Sequence, residues 1–156
     1  MIAYSEAELK YARPFAANLI GNDDFRHWVL SNTCFEGLYH MAVPLGSEQA
    51  RLRSAGIKNP YWFNYWCGKD ARCPCRIGTG IETDILIILE AMNRRRLAVH
   101  VEVKRPNEAL RPGQAESYPR RAACWANPAT RPRTIPQHDD FLTIIVCGEE
   151  LGPDER

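Results

Sequence analysis

The sequence contains no long apolar run. The longest, Ile85–Leu89, has five residues, whereas a helix that crosses a bilayer needs about 20. The first residues, MIAYSEAELKYARPF, include acids where a secretory signal has basic and then apolar side chains. We therefore expect no membrane association and a cytoplasmic location, where the six cysteines would stay reduced instead of forming disulfides.

The chain also has almost no net charge. Its 20 basic and 19 acidic side chains give a formal charge of +1, so it lacks the overall basic character of many nucleic-acid-binding proteins. The charge is unevenly distributed, because residues 88–135 contain ten Lys or Arg against four Glu, an excess of six. This excess predicts either a phosphate-binding surface around a functional site or a solvated arginine-rich surface.

Two familiar ligand motifs are incomplete. The Gly78-Thr-Gly80 segment lacks the Lys and the following Ser or Thr of a phosphate loop, so nucleotide binding is not supported. Cys67, Cys73 and Cys75 follow a Cys-x5-Cys-x-Cys spacing, which lacks the closer cysteine pair of a zinc knuckle. Thiols that bind no metal are favoured here, and a metal site stays open as the alternative.

Two strand-like runs, Ile81–Leu89 and Leu97–Arg105, are joined by the polar stretch Met92–Arg96. Period-two alternation with β-branched residues is typical of strands. The alternation predicts one face with Ile81, Thr83, Ile85, Ile87 and Leu89, and another with Glu82, Asp84, Leu86 and Ile88. A turn centred on Asn93 makes the residue numbers of paired positions sum to 186.

In this register Asp84 lies directly across from Glu102, with Cβ atoms about 5 Å apart. Two carboxylates at that distance repel each other unless a cation lies between them. Mg²⁺ takes hard oxygen ligands, usually one or two carboxylates together with substrate phosphate. Lys104 lies about 7 Å further along the same strand face, where a phosphate oxygen or metal-bound water would lie. The arrangement suits metal-assisted phosphodiester hydrolysis.

These residues resemble the pattern of the PD-(D/E)xK nucleases, a superfamily that includes type II restriction enzymes, junction resolvases and RecB-like nucleases. The pattern is Asp84, then Glu102-Val103-Lys104, then Gln114-Ala-Glu-Ser-Tyr118. The resemblance extends from Glu82 to Tyr118 and implies an α/β fold. We expect a mixed central β-sheet flanked by helices, a restriction-endonuclease-like core, and Phe141–Cys147 as its next core strand.

The resemblance further implies a nuclease that depends on Mg²⁺ or Mn²⁺ and hydrolyses DNA. Asp84, Glu102 and the Val103 carbonyl would hold the metal. Lys104 would position the attacking water or stabilise the phosphorus centre, while Gln114 would help to fix the water, Lys104 or nearby backbone and Tyr118 would support it. The predicted nucleic-acid contacts are Arg105, Arg120 and Arg121. A homodimer would suit cleavage of both strands, although no interface is visible in the sequence.

Some roles and two rival interpretations stay open. Members of the superfamily commonly carry an upstream helical acid, for which the candidates are Glu8, Glu36 and Glu48. Glu82 could bind a second metal, and His100 is either a hydrogen-bonded sheet residue or part of the metal site. The domain could instead be an inactive nucleic-acid-binding or interaction module with a nuclease fold. Alternatively, the hairpin charges could simply face solvent.

The rest of the chain predicts a single domain over residues 1–156, with a core in 1–148 and a flexible tail at 149–156. A capping box at Ser5 and Glu8 opens a helix that stops at Gly21 and could split at Pro14. Further helices are predicted in the following segments: Asn22 or Asp23 to about Leu30, burying Phe25, Trp28 and Val29; Ser47–Arg53, capped by Ser47; and Gln114–Asn127, bent or restarted at Pro119.

The aromatic segment Tyr61–Trp66 has five aromatic residues in six positions. Such side chains can stack on unpaired bases, but burial in a core is their commoner use. Core packing is therefore the favoured interpretation, with base stacking as the alternative.

Overall fold

The computed structural model describes residues 3–53, 59–67, 75 and 82–148. Cys73, the Gly78-Thr-Gly80 segment and the tail at 149–156 lie outside the described residues. In chain order the elements are α1 (Ala3–Gly21), α2 (Asp23–Ser31), α3 (Glu36–Tyr39), β1 (Val43–Pro44), α4 (Gly46–Leu52), β2 (Phe63–Trp66), β3 (Glu82–Glu90), β4 (Arg96–Lys104), α5 (Gln114–Ala126) and β5 (Asp140–Cys147).

The five strands form one mixed sheet. β3 and β4 make the predicted antiparallel hairpin, and pairs such as Ile85 with Val101 have the predicted register. β4 pairs in parallel with β5, while β1 and β2 both pair antiparallel with the other edge of β3. The prediction of a mixed α/β sheet flanked by helices is confirmed.

The two faces of the hairpin pack into separate cores. One face packs against α1 and α2. The core formed there includes Ala16 and Leu19 of α1, Ile87 of β3 and Val99 of β4. The other contains Leu86 and packs against α5. Since both faces are covered at this end of the hairpin, Asp84, Glu102 and Lys104 are buried with them.

Both proline-containing helices are continuous. α1 runs through Pro14 and α5 through Pro119, so the predicted split at Pro14 and the predicted restart at Pro119 are wrong. The bend predicted at Pro119 stays a prediction. A helix-interior proline costs about 3 kcal/mol. In each helix, fully buried side chains such as Leu19 and Trp125 anchor the segment beyond the proline to the sheet, and this burial offsets the cost.

The ends of the early helices differ in part from prediction. Asn22 caps α2 by accepting the Phe25 N–H at 3.0 Å. Trp28, predicted to be buried, is 61% exposed. Arg26 is buried instead, because its guanidinium donates to the Leu19 carbonyl at 3.0 Å and so satisfies a group at the end of α1.

Neither predicted serine lies at the N-terminal boundary of its helix. α1 begins at Ala3, before Ser5, and α4 begins at Gly46, with Leu45 in the N-cap position. A helix that begins upstream of a serine places that serine within its first turns, where it no longer occupies the capping position.

A buried glutamine completes the edge of β3 between β1 and β2. Gln49 of α4 is fully buried, donates to the Leu86 carbonyl at 2.9 Å and accepts the Ile88 N–H at 2.9 Å. Its side-chain amide thus provides the two hydrogen bonds that a neighbouring strand would provide at this position.

The aromatic segment is mainly part of the core, as favoured. Trp62, Phe63 and Tyr65 are buried, whereas Trp66 is 54% exposed. Asn64 adopts a left-handed φ of 59°, which interrupts the regular alternation of β2. Phe63 and Tyr65 therefore join opposite cores.

Candidate active site

The regular alternation of β3 ends at Asp84. Asp84 Oδ2 accepts a hydrogen bond from the Val103 N–H at 2.8 Å, just beyond the last residue pair of the hairpin, Ile85 with Val101. Thr83 Oγ1 lies 3.4 Å from His100 Nδ1, on the α5 side of the sheet. The predicted position of Thr83 on the Ile85 face is therefore wrong, because the Asp84 side chain turns into the sheet edge.

Asp84 and Glu102 come together in a buried site. They are only 4% and 8% exposed, so the interpretation of solvent-facing charges is wrong. Burial and the nearby Glu102 carboxylate raise the pKa of Asp84 to about 8, although the Val103 N–H opposes the shift. The two carboxylates thus repel each other in surroundings where charge is poorly screened.

Lys104 and Gln114 converge on one oxygen of Glu102. The Lys104 Nζ lies 3.1 Å from Glu102 Oε1, and Lys104 is 4% exposed. Gln114 Nε2 donates to the same oxygen at 3.2 Å. At the other end of its amide, Gln114 Oε1 accepts the Arg111 N–H at 2.9 Å, which fixes the side chain at the start of α5.

Glu108 is a second acidic neighbour of Lys104 that sequence reasoning missed. Its Oε1 lies 3.5 Å from the Lys104 Nζ, and its Oε2 accepts the Arg105 N–H at 3.1 Å. Burial acts against the charged form, but these hydrogen bonds and cations lower the pKa of Glu108. The four-residue spacing between Lys104 and Glu108 could have indicated this contact. The segment after Pro106 has no regular apolar period, so no local pattern indicated a helical turn there.

Of the three candidate upstream acids, Glu8 of α1 lies near the paired carboxylates. Its charge contributes to the raised pKa of Asp84 and, after burial, to the raised pKa of Glu82. Glu48 instead binds Arg96 at 3.0 Å, at the opposite end of the hairpin. Glu36 is exposed at the start of α3. Sequence alone offered no local pattern to separate the three, since only the packing of α1 brings Glu8 to the sheet.

Tyr118 lies beside Glu102, and Arg121 lies beneath it. Burial and the charge of Glu102 raise the pKa of Tyr118. The Arg121 guanidinium is 5.7 Å from the centre of the Tyr118 ring and donates to the Glu82 carbonyl. Because Arg121 is 1% exposed, it presents no surface to a nucleic acid, and that prediction is wrong.

The other two predicted nucleic-acid contacts remain predictions. Arg120 is exposed on α5. Arg105 is partly buried, and its Nε lies 3.2 Å from Glu108.

Part of the basic segment lies far from the site. Arg94 and Arg96 pair with Glu90 at 3.1 and 2.8 Å, and Arg95 pairs with Asp140 at 2.9 Å. Arg94 and Arg95 lie in the hairpin turn and Arg96 begins β4. They are therefore at the opposite end of strands that rise about 3.3 Å per residue. The prediction that the whole basic excess surrounds the site is therefore wrong.

His100 is a buried sheet residue, as favoured. Its ring centre lies 5.3 Å from that of Trp125 in α5, and its Nδ1 is 3.4 Å from Thr83 Oγ1. Burial lowers the pKa of His100 well below its usual value, so the imidazole is neutral at physiological pH.

The oxygen ligands at this end of the hairpin suit Mg²⁺ in charge and in chemical type. The Val103 carbonyl faces the β3 side of β4, as its N–H does, because both groups of a residue point to the same neighbouring strand. Within residues 3–53, 59–67, 75 and 82–148, no three His, Cys, Asp or Glu side chains are already grouped to hold a metal ion. Carbonyl, water and phosphate oxygens would complete the coordination, as is usual for Mg²⁺.

The described cysteines of the Cys-x5-Cys-x-Cys segment lie in the core on the α5 side. Cys67 and Cys75 are buried, and their sulfur atoms are 3.1 Å apart. This separation exceeds the roughly 2.05 Å of a disulfide. With Cys73 outside the described residues, metal binding by the three cysteines stays the less favoured prediction.

Comparison of the chain with protein-family models, curated proteins and solved structures gave no match. The resemblance to the PD-(D/E)xK nucleases therefore rests on the residues of this chain alone. Among the described residues, no helix is both long and apolar enough to cross a membrane.

Proposed function

We propose that the protein is a divalent-metal-dependent nuclease that hydrolyses phosphodiester bonds in DNA, built on a restriction-endonuclease-like core. The observation that carries this proposal is the burial of Asp84 beside Glu102, which raises the pKa of Asp84 to about 8. A protein that encloses two repelling carboxylates has a ready site for a cation, since the cation removes the repulsion.

Each residue of the site would have its own role in hydrolysis. Asp84, Glu102 and the Val103 carbonyl would hold Mg²⁺ or Mn²⁺, which on binding would supply an activated water and neutralise charge on the phosphate. The Lys104 ammonium, already 3.1 Å from Glu102, would orient the attacking water or stabilise the negative charge that develops on the phosphate oxygens.

Gln114 and Glu108 would hold the Lys104 ammonium in place. Gln114 donates to Glu102 Oε1 and so restrains the oxygen that also contacts Lys104. Glu108 lies 3.5 Å from the ammonium and attracts it electrostatically.

DNA is the favoured substrate because the predicted roles come from a superfamily of DNA nucleases. Arg105 and Arg120 are the proposed phosphate contacts. A homodimer that cuts both strands is part of the same proposal, and the sedimentation of the purified protein with and without duplex DNA would test it.

Cleavage assays with purified protein test the proposal. Linear duplex, supercoiled and single-stranded DNA, and a matched RNA, are incubated with Mg²⁺, with Mn²⁺ or with a chelator. We expect metal-dependent cleavage by the wild type and none by Asp84→Ala or Lys104→Ala. Asp24→Ala, on the exposed surface of α2, is the matched control and should cleave normally.

Retained cleavage by both site variants would refute the assignment of these residues. Cleavage of RNA alone would refute the choice of DNA. If no substrate is cut, calorimetric titration with Mg²⁺ separates the remaining interpretations. A nuclease whose substrate was not among those tested would bind Mg²⁺ at Asp84. An inactive binding module would bind nucleic acid without that metal.

A further inference from the structure

Glu102 forms part of the wall of a small cavity. The cavity has a volume of about 10 Å³ and is lined by residues of β3, β4, β5 and α5, among them Thr83, His100, Glu102, Tyr118 and Thr143. One water molecule needs roughly 10–15 Å³ of such space together with two to four polar partners. The cavity therefore matches a single water molecule in size.

Two polar atoms on the cavity-lining residues need a partner. His100 Nε2 and the Tyr118 hydroxyl are both enclosed. Nε2 has no hydrogen-bond partner in the described part of the chain, and the hydroxyl interacts with Glu102 without completing a hydrogen bond of ordinary geometry. A buried polar group without a partner costs about 1–3 kcal/mol. Two such groups around one small cavity point to a shared ligand that both donates and accepts hydrogen bonds.

The donor from Arg121 is compatible with one set of hydrogen-bond directions around His100. The Arg121 guanidinium can only donate, and one of its nitrogens lies 3.4 Å from Thr83 Oγ1. The Thr83 hydroxyl has two acceptor sites and one proton, so it can accept this bond and donate its own proton to His100 Nδ1, 3.4 Å away. In this arrangement the neutral imidazole accepts at Nδ1 and carries its proton on Nε2, which makes Nε2 a donor.

We propose that this cavity is a binding site for one ordered water molecule, which links His100 Nε2 to Tyr118 and Glu102. The chain of hydrogen bonds then runs from Arg121 through Thr83 and His100 to the water. Its acceptor end is the Glu102 carboxylate, the strongest acceptor on the cavity wall. Thr83 and His100 are thereby positioning residues that restrain Glu102 through the water in the cavity. Lys104 and Gln114 restrain it by direct contact with Oε1.

The effect on metal binding rests on the proposed function, but the water and the imidazole tautomer do not. Partners that orient a metal-binding side chain typically contribute 10- to 100-fold to metal affinity. We therefore expect Thr83→Val, which keeps the side-chain shape and removes the hydroxyl, to weaken Mg²⁺ binding by about that factor. Thr134→Val, at an exposed position, is the matched control and should leave Mg²⁺ affinity unchanged.

Nitrogen-15 NMR of the metal-free wild type gives a direct readout of the tautomer. We expect His100 to carry its proton on Nε2 and to shift toward a mixture of tautomers in Thr83→Val. A high-resolution crystal structure should show one water within hydrogen-bond distance of His100 Nε2. A proton on Nδ1 in the wild type, or a dry cavity, would overturn the proposal.

A double-mutant cycle tests whether the chain acts as a unit. Thr83→Val and Tyr118→Phe are made singly and together, and Mg²⁺ affinity is measured by calorimetry. Groups that act through one water should give a combined loss smaller than the product of the single losses. Losses that multiply, or a Thr83→Val variant with wild-type affinity, would overturn the positioning role. If the wild type binds no Mg²⁺, the proposed function fails, whereas the NMR and crystallographic tests of the water keep their meaning.

Discussion

The carboxylate of Asp84 takes the place of a main-chain acceptor opposite Val103, whose N–H it accepts at 2.8 Å. This bond draws the side chain between the strands, where Glu102 is its close electrostatic neighbour. The local break in the β3–β4 ladder and the raised pKa of Asp84 thus share one cause.

Replacing Asp84 by Asn should stabilise the metal-free protein at pH 8. The folded-state pKa of Asp84, about 8, lies above its ordinary value of 3.8, so the folded state binds more protons than the unfolded state between these limits. The protonated Asp84 side chain therefore contributes to the unfolding free energy at low pH. This contribution is lost as pH rises toward 8, by up to about 1.4 kcal/mol per pH unit. The amide side chain of the variant would retain an acceptor for the Val103 N–H without the charge.

Urea unfolding at pH 6 and pH 8 measures this effect. The unfolding free energy of Asp84→Asn should exceed that of the wild type, and the difference should be larger at pH 8. Asp24→Asn, at an exposed site with no partner change expected, controls for removal of an acid. Equal pH dependence in the wild type and Asp84→Asn would show that Asp84 is not under electrostatic strain.

Glu8→Gln should alter Mg²⁺ binding, whereas Glu36→Gln and Glu48→Gln should not. Only the first of these carboxylates acts on Asp84 and Glu82 in the structure. A nearby oxygen that attracts the metal or its bound water is expected to contribute about 10- to 100-fold in affinity. Calorimetric titration of the three variants distinguishes them, and a larger loss in Glu48→Gln would contradict the assignment of Glu8.

Trp66→Ala should weaken binding of single-stranded DNA. Trp66 lies directly across from Glu82 in the β2–β3 pairing and, unlike its buried neighbours, is 54% exposed. Base stacking on an aromatic ring contributes about 1–3 kcal/mol, so we expect a loss of roughly 5- to 150-fold in affinity, with Trp66→Phe largely restoring it.

Fluorescence anisotropy with a labelled oligonucleotide, in an Asp84→Asn background with Mg²⁺, measures that loss without cleavage. Trp28→Ala is the matched control, because Trp28 is comparably exposed, at 61%, but lies on α2. Equal affinities for the Trp66 and Trp28 variants would rule out stacking near the site.

Gln49→Ala should destabilise the fold without a specific effect on metal affinity. It would leave the Leu86 carbonyl and the Ile88 N–H without the partner that Gln49 provides, at a cost of about 1–3 kcal/mol for each buried group. We expect a total loss of roughly 2–6 kcal/mol in the unfolding free energy. Arg51→Ala, on the exposed side of the same helix, should change stability far less.

The sequence was sufficient to predict the elements that have strong periodicity. The hairpin register, the strand Asp140–Cys147 and the helix from Gln114 follow from alternating or helical apolar patterns, because burial of one face imposes each period. The spacing of Asp84, Glu102 and Lys104 along adjacent strands was readable for the same reason. Proline was a poor guide to helix ends, since packing against the sheet outweighed its local cost.

Tertiary structure alone decided which other side chains reach the site. Glu8 approaches because α1 packs across the hairpin, and Arg121 is withdrawn from the surface because α5 packs on the opposite face. Such contacts join residues distant in sequence, and no local period encodes them. The sequence by itself determined the strands and the order of their charges, whereas the way the helices close over both faces determined which of those charges are buried together.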